Sequence, residues 1–291
     1  MSPLVVAVVG PTAAGKSDLG VALAQALGGE VVNADSMQLY RGMDIGTAKL
    51  SLEERAGVEH HLLDVWDVRV TATAAAYQAL ARDVVAARDC PLVFVGGSGL
   101  YLRAALDRLE FPGTDPALRL LLEAELEEHG SLPLWERLRG LDPAAAARME
   151  PSNGRRVVRA LEVVLLHGSM PGELTAYEPW VPAVHLGLDR PDLRDRVAAR
   201  VERMWAAGLV EEVEALDGLR EGVTASQALG YKQALAQLDG TLTSEEARAA
   251  TVSATNRFVK RQRAWFRRDP RIHWLDPSGD LLAQARAAVG S

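Results

Sequence analysis

Residues 4–17 of the chain read LVVAVVGPTAAGKS, and the class of the fold can be read from them. Leu4 to Val9 is short, apolar and rich in valine, which predicts a buried parallel strand. The loop after it matches G-x-x-x-x-G-K-[ST], in which backbone N–H groups wrap a phosphate, the lysine neutralises it and the hydroxyl ligates Mg²⁺. Residues 17–27 predict a helix, so the motif has the strand and the helix that it requires. We therefore predict a di- or triphosphate site, with Mg²⁺ on the serine, at Gly10, Pro11, Thr12, Ala13, Ala14, Gly15, Lys16 and Ser17.

Short apolar segments alternate with helical ones along the rest of the chain. Strands that alternate with helices predict an α/β fold, here a parallel P-loop-type sheet flanked by helices. Ligands of such sheets bind where the strands end. The loops that begin at Gly10, Asp35 and Gly96 should therefore face one crevice. Strands are predicted at 30–34, 91–95, 183–188 and 272–275, and helices at 73–88 and 191–216.

The strand patterns disappear between residues 113 and 182. Helical segments take their place, separated by breaks such as Pro112-Gly113 and Pro171-Gly172. Asp115-Pro116 is a favourable helix start, and residues 118–128 continue it with apolar residues at helical spacing. The sequence therefore predicts a P-loop catalytic core of residues 1–112 and 183–291 and a helical insertion domain at 113–182.

The composition is that of an ordinary globular protein, with 48% hydrophobic and 24% charged residues over 291 positions. No apolar run reaches the roughly 18 residues of a membrane span, and we expect no signal peptide. Cys90 is the single cysteine, so no internal disulfide is expected, and no zinc-type spacing of cysteine and histidine occurs. We expect a cytoplasmic protein and a monomer.

Polar residues follow the second and third predicted strands. Asp35 would lie beside the phosphate site, where a carboxylate accepts a proton or holds a metal-bound water; alternatively, it caps a helix. Ser98, between glycines, either faces the crevice or belongs to a tight turn. Spacing alone leaves these alternatives open. The adjacent His60 and His61 have no evident partners, and we interpret them as structural residues.

Two basic clusters stand out against a net charge of −7. Residues 257–271 read RFVKRQRAWFRRDPR, with seven basic residues against one acid, and residues 155–159 read RRVVR. Both clusters are candidates for phosphate contacts. Trp265 and Phe266 would suit stacking on bases, but helical spacing favours packing of these rings against the core.

The residues considered so far also suit a small-molecule or nucleotide kinase. A phosphate loop with an aspartate after the second strand fits phosphate transfer to a hydroxyl group. No clear Walker-B acid follows the strand at 91–95, which weakens ATP hydrolysis as the chemistry. A nucleotide-gated RNA-binding module is a third alternative, suggested by the basic clusters and the insertion.

The sequence resembles the tRNA dimethylallyltransferases, also called isopentenyl-tRNA transferases. Eight motifs occur in the order of that family, spread over most of the chain. The extra zinc finger of some eukaryotic relatives is absent, so the resemblance is to the compact bacterial form. The motifs are GPTAAGKS at 10–17, ADSMQLYRGMDIGTAK at 34–49, HHLLD at 60–64, GGSGLY at 96–101, DPALR at 115–119, RRVVRALEV at 155–163, ALGYKQ at 228–233 and KRQRAWFR at 260–267.

The resemblance implies transfer of a dimethylallyl group from dimethylallyl diphosphate to N6 of the adenosine adjacent to the anticodon in tRNA. Diphosphate is then the leaving group, and Lys16 and Mg²⁺ absorb its charge. In family terms Asp35 is the general base and Ser98 contacts the substrate near the reacting centre, where the adenosine arrives flipped out of its stack. The family often has Gln where Arg155 stands and Thr where Ser98 stands. Contacts with tRNA are implied for Asp35, Ser36, Met37, Gln38, Ser98, Arg119, Arg155, Arg156, Val157, Val158 and Arg159.

Overall fold

The computed structural model of the protein describes residues 3–171 and 176–290. The chain forms two compact units: Leu109–Tyr177, here the insertion unit, and Met1–Arg108 with Glu178–Ser291, here the core unit. Both boundaries lie a few residues before the predicted ones. The second does so because the chain rejoins the core before residue 183. The N–H of Trp180, for instance, donates to Leu106 O at 2.8 Å. Gly172 of the predicted break Pro171-Gly172 lies outside the described residues.

In the described part of the core unit, six strands form one parallel sheet at its centre. The strands are β1 (Val5–Val9), β2 (Glu30–Asn33), β3 (His60–His61), β4 (Leu92–Gly96), β5 (Ala183–Gly187) and β6 (Ile272–Trp274). Their order across the sheet is β3-β2-β4-β1-β5-β6. The predicted parallel α/β fold is confirmed, and the carboxyl ends of β2, β4 and β1 are neighbours.

Both the core unit and the insertion unit contain helices. The core unit contains α1 (Lys16–Leu27), α2 (Ala74–Ala86), α3 (Gly99–Leu106), α8 (Leu193–Ala206), α9 (Leu209–Ala215), α10 (Tyr231–Leu238), α11 (Ser244–Phe266) and α12 (Leu281–Val289). The insertion unit contains α4 (Pro116–His129), α5 (Ser131–Leu141), α6 (Pro143–Ala147) and α7 (Gly154–His167). Single 3₁₀ turns occupy Leu219–Glu221 and Ala225–Gln227. None of the described helices is long and apolar enough to cross a membrane.

β1 shows why its sequence is apolar throughout rather than alternating. All of its residues are at most 2% exposed. Val5, Ala7 and Val9 pack on one face of the sheet, and Val6 and Val8 pack on the other. A parallel strand covered on both faces buries every side chain, as the uninterrupted run of valines predicts.

The helix predicted over 191–216 is two helices in the structure. α8 ends at Ala206 and α9 begins at Leu209. Gly208 lies between them with a φ of 94°, the left-handed conformation that glycine adopts at low cost. The prediction of one long helix is wrong. The apolar spacing is helical on both sides of Gly208, so the spacing alone does not reveal the break at this glycine.

The insertion unit is helical in the part that the structure describes. Asp115 caps α4 by accepting the N–H groups of Ala117 and Leu118, and proline occupies the first turn, as predicted. The unit has a hydrophobic cluster of its own, which includes Leu122 of α4 and Leu134 of α5. It therefore has the core that an independent compact unit requires.

Candidate active site

The phosphate loop joins β1 to α1 through conformations that favour glycine. Gly10 has a φ of 141°, and a Cβ on it would lie 2.0 Å from Leu188 O. Gly15 has a φ of 94° immediately before α1. Gly15, Lys16 and Ser17 line an adjoining cavity, so the positive end of the α1 dipole borders that cavity. This is the arrangement in which helix N-termini bind phosphate groups.

Two arginines from the second half of the chain hold the phosphate loop. Arg190 Nε donates to Ala14 O at 2.9 Å, and Arg196 Nε donates to Ala13 O at 2.7 Å. These contacts engage loop carbonyls, whereas a phosphate requires the N–H groups. The loop is thus held in shape by the core unit itself.

Lys16 is the cation predicted to neutralise the phosphate. Its Nζ donates to Pro11 O at 2.8 Å. Burial lowers the pKa of Lys16 to about 8, while the nearby Asp35 opposes that shift. The ammonium group is therefore protonated at neutral pH, in surroundings that favour the arrival of an anion.

β2 ends in a polar turn that carries Asp35. Asn33, 3% exposed, accepts the Asp35 N–H at 2.9 Å and donates to Asp35 O at 3.0 Å. Asp35 Oδ1 accepts the N–H of Met37 at 2.9 Å. Residues 36–39 form bends and turns, so Asp35 closes a turn and caps no helix. Asn33 is a positioning residue that sequence reasoning missed.

The three loops predicted to face one crevice do meet. The Ser36 N–H donates to Ser98 Oγ at 3.3 Å, which joins the loops after β2 and β4. A cavity of about 70 Å³ lies among the loops. Its lining includes Thr12, Lys16 and Ser17 of the phosphate loop, Asp35 after β2, and Gly96 at the end of β4. The Asp35 carboxylate and the predicted phosphate site therefore share one small space.

A wider cavity of about 1180 Å³ adjoins the phosphate loop, and α8 forms part of its wall. Arg196, Arg200 and Arg203 line it at the i, i+4 and i+7 positions of one helix face. Arg200 also borders the smaller cavity and donates to Thr47 O at 3.1 Å. Burial lowers the pKa of Arg200, and Asp35 opposes the shift. Sequence reasoning missed Arg200, although the helical spacing of the three arginines was a signal.

The predicted Mg²⁺ requires oxygen donors beside the phosphate loop. Among the described residues, no group of three or more His, Cys, Asp and Glu side chains could hold a metal ion. Mg²⁺, however, is usually bound by one or two protein oxygens together with substrate phosphates and water. Ser17 and Asp35 line the same small cavity. These donors fit a Mg²⁺ ion that arrives with a diphosphate.

α7 of the insertion unit carries the predicted RRVVR cluster on two faces. Arg155 and Arg156 are exposed. Val157 and Val158 are 0% and 1% exposed, within the hydrophobic cluster of the unit. Their side chains pack inward, so the predicted contact of these two residues with tRNA, which stays a prediction, would fall to their backbone.

The other two arginines predicted to contact tRNA lie beside a buried acid. Glu162 of α7 is 0% exposed and accepts hydrogen bonds from Arg119 and Arg159. Arg159 also donates to the backbone carbonyls of Pro112 and Gly113. Burial alone would raise the pKa of Glu162, but the two arginines hold it below its ordinary value. Arg119 and Arg159 thus organise the insertion unit, whatever else they bind.

The remaining aromatic and histidine predictions have mixed outcomes. Phe266 is 3% exposed and packs in the core, as predicted, whereas Trp265 is 36% exposed and lies against Gly99. His61 pairs with Glu30 at 2.6 Å, as expected for a structural histidine. His60 binds a backbone carbonyl and also borders the small cavity.

Fold and site together place the chain among P-loop α/β proteins, which hold a di- or triphosphate at the strand ends of a parallel sheet. Here the phosphate loop and the Asp35 carboxylate line the same small cavity. Residues 38–269, more than half of the chain, match the sequence model of the IPP transferase family. The chain belongs to that family.

Named relatives and solved structures agree with this assignment. A tRNA dimethylallyltransferase of Streptomyces coelicolor is 62% identical over 286 residues, which cover 94% of this chain and 90% of that protein. One of a Parafrankia species is 60% identical over 296 residues, covering 99% and 93%. The tRNA isopentenylpyrophosphate transferase of Bacillus halodurans has a TM-score of 0.71 at 39% identity and covers 99% of this chain and 94% of its own. A eukaryotic dimethylallyltransferase acting on tRNA has a TM-score of 0.80 at 26% identity, covering 99% and 78%.

Proposed function

We propose that this protein transfers a dimethylallyl group from dimethylallyl diphosphate to N6 of the adenosine adjacent to the anticodon in tRNA, releasing diphosphate. The observation that carries the proposal is the small cavity shared by the phosphate loop and Asp35. Relatives named tRNA dimethylallyltransferase, about 60% identical over nearly the whole chain, support this reaction over a kinase. The phosphate that the loop holds is then a leaving group.

The donor half of the reaction uses the phosphate loop and two cations. Backbone N–H groups at the start of α1 receive the diphosphate, and Lys16 and Arg200 face the same cavity. Negative charge grows on the diphosphate as the bond to the dimethylallyl carbon breaks, and preorganised cations stabilise that charge. When bound to Ser17 and the diphosphate, Mg²⁺ would neutralise part of this charge.

The acceptor half uses Asp35 and Ser98. The N6 lone pair attacks C1 of the dimethylallyl group, the C1–O bond breaks, and its electron pair leaves with the diphosphate. The proton lost from N6 passes to the Asp35 carboxylate, whose second oxygen is fixed by the Met37 N–H. Ser98, hydrogen-bonded to the Ser36 N–H, orients the flipped adenine.

We place the tRNA contacts on exposed arginines of the insertion unit, Arg155 and Arg156, and on the Asp35–Gln38 turn of the core unit. A single cation cannot supply the charge that a tRNA backbone requires, so several must contribute. Action as a monomer in the cytoplasm stays a prediction from the sequence.

The direct test incubates the purified protein with unmodified tRNA and dimethylallyl diphosphate labelled in the prenyl group. A parallel reaction contains γ-labelled ATP and small hydroxyl acceptors. Label in tRNA, located at the adenosine adjacent to the anticodon by nuclease digestion, supports the proposal. Phosphate transfer from ATP without prenyl transfer would establish the kinase instead.

Asp35→Asn isolates the proton acceptor, because the amide oxygen can still accept the Met37 N–H. We expect kcat to fall by roughly a hundredfold or more, as for other enzymes that lose a general base, while tRNA binding persists. Single-turnover transfer and filter binding measure the two quantities. Undiminished transfer by this variant would remove Asp35 from the mechanism.

A further inference from the structure

Gln262 links the two loops that frame the small cavity. Its side chain, on α11, is buried at 5% exposure. Gln262 Oε1 accepts the N–H of Thr12, in the phosphate loop, at 2.9 Å. Gln262 Nε2 donates to Gly97 O, next to Ser98, at 2.9 Å. One amide group therefore spans the ends of β1 and β4.

The hydrogen-bond partners of Gln262 define the orientation of its amide group and how closely that group approaches Gly97. A backbone N–H can only donate and a carbonyl can only accept, so the amide oxygen must face Thr12 and the nitrogen Gly97. A Cβ on Gly97 would lie 2.3 Å from Gln262 Nε2, so the approach requires glycine there. Val259 and Phe266, 4% and 3% exposed, anchor α11 in the hydrophobic clusters of the two sheet faces. The amide is thus held on a firmly packed helix.

We propose that Gln262 is a positioning residue that sets the separation between the diphosphate of the donor and the amine of the acceptor. The inference rests on the proposed function, in which the phosphate loop holds the donor and the Ser98 loop borders the acceptor. Reacting atoms must approach to roughly 3–3.5 Å, and a displacement of about 1 Å slows a reaction by about a hundredfold. Gln262 therefore acts on kcat through the two loops, and it contacts neither substrate.

Gln262→Met is the first test, because methionine has a similar length and makes neither hydrogen bond. We expect kcat for prenyl transfer to fall by about tenfold or more. The KM for dimethylallyl diphosphate and the Kd for tRNA, measured without donor, should change by less than about threefold. A loss confined to tRNA affinity would make Gln262 a tRNA contact and overturn the proposal.

Gln262→Glu supplies a readout that a purely structural role would not move. A protonated glutamic acid donates to Gly97 O and accepts from the Thr12 N–H, whereas the ionised form lacks a donor and repels that carbonyl. Burial favours the neutral form of a carboxyl group. The ratio of variant to wild-type kcat should therefore rise as the pH falls from about 8 to about 5.5, and the ratio for Gln262→Met should stay constant.

Gln284 of α12 offers the matched control. Its Oε1 accepts the Asp276 N–H at 2.8 Å and its Nε2 donates to Asp276 O at 3.0 Å, so it makes the same two kinds of bond. Gln284→Met and Gln284→Glu should keep wild-type kcat at every pH. Wild-type turnover by Gln262→Met, or a pH-independent ratio for Gln262→Glu, would overturn the proposal. If Gln262→Met fails to fold, the pH ratio decides alone; wild-type protein without transfer activity would instead refute the proposed function.

Discussion

The helices α7 and α11 both carry clusters of arginine, and the structure uses the two clusters differently. In α7, Arg159 pairs with a glutamate inside the insertion unit, while Arg155 and Arg156 are exposed. In α11, Arg263 binds Asp189 through two nitrogens at 2.8–3.0 Å. One arginine of the first cluster thus helps to hold its own unit together, and one of the second holds the loop after β5 of the core sheet.

The contact of α11 reaches the phosphate loop through a chain of hydrogen bonds. Arg263 donates to Arg190 O at 2.7 Å, and Arg190 donates to Ala14 O at 2.9 Å. The same guanidinium group of Arg263 also pairs with Asp189, the residue before Arg190. The arginines of one sequence cluster therefore differ in role. Those paired with acids stabilise the fold, and the exposed ones remain able to bind phosphate.

The largest effect is expected from Glu162→Gln, which removes the charge between Arg119 and Arg159. Taking one partner from a buried ion pair costs about 3–5 kcal/mol, and the partial exposure of both arginines places this case at about 2–3 kcal/mol. Hydrogen exchange of α4 and α7 amides measures the loss within the insertion unit. Glu125→Gln, at an exposed pair with Arg137, is the control and should stay within about 0.5 kcal/mol.

The same carboxylate predicts a pH dependence. Hydrogen bonds from arginine hold the pKa of Glu162 below its ordinary value of 4.5 despite burial. A depressed pKa contributes stability that is present above the unfolded pKa and is lost as the pH falls through the folded one. The difference in unfolding free energy between wild type and Glu162→Gln should therefore shrink below pH 4.5. A difference that persists undiminished in acid would mean that charge is not what the arginines recognise.

Asp189→Asn tests the α11 side of the comparison. The pair with Arg263 is partly exposed, so we expect the unfolding free energy to fall by only about 1 kcal/mol. The looser phosphate loop should raise the KM for dimethylallyl diphosphate by about threefold to tenfold, a change of about 1 kcal/mol. Asp217→Asn, at an exposed pair with Arg69, should change neither quantity. An unchanged KM for Asp189→Asn would show that the loop keeps its shape without α11.

The smallest effect is expected from replacing Arg155 and Arg156 together by alanine. Their side chains are exposed, so stability should stay within about 0.5 kcal/mol. The affinity for tRNA should fall. The plot of the logarithm of the binding constant against the logarithm of the salt concentration should become less steep, by about 0.7 to 0.9 for each phosphate that the variant no longer neutralises. Arg137 and Arg139 of α5, also exposed, provide the matched double alanine variant. Equal slopes for both variants would leave the α7 arginines as a solvated surface.

The sequence alone predicts those features of this protein that depend on neighbouring residues. The valine run of β1 must be buried on both faces, and Gly10 and Gly15 permit the positive φ values of the phosphate loop. The burial of β1 and the conformation of the phosphate loop both follow from short stretches of sequence, so a sequence pattern can predict them. The sequence indicates Asp35 and Ser98 for a related reason, since polar residues just after parallel strands collect at one edge of the sheet.

Which distant side chains complete the site depends on how the whole chain packs. Gln262 is 250 residues from Thr12, and helical spacing cannot reveal which helix packs over which loop. The arginines of α8 have a visible common face, but the sequence does not say that this face lines the phosphate cavity. Val157 and Val158 of α7 are buried. Their predicted contact with tRNA depends on their place in a family motif and not on hydrophobic spacing. Local conformation follows from neighbours in the chain, whereas the partners of a long polar side chain are known only once the packing is known.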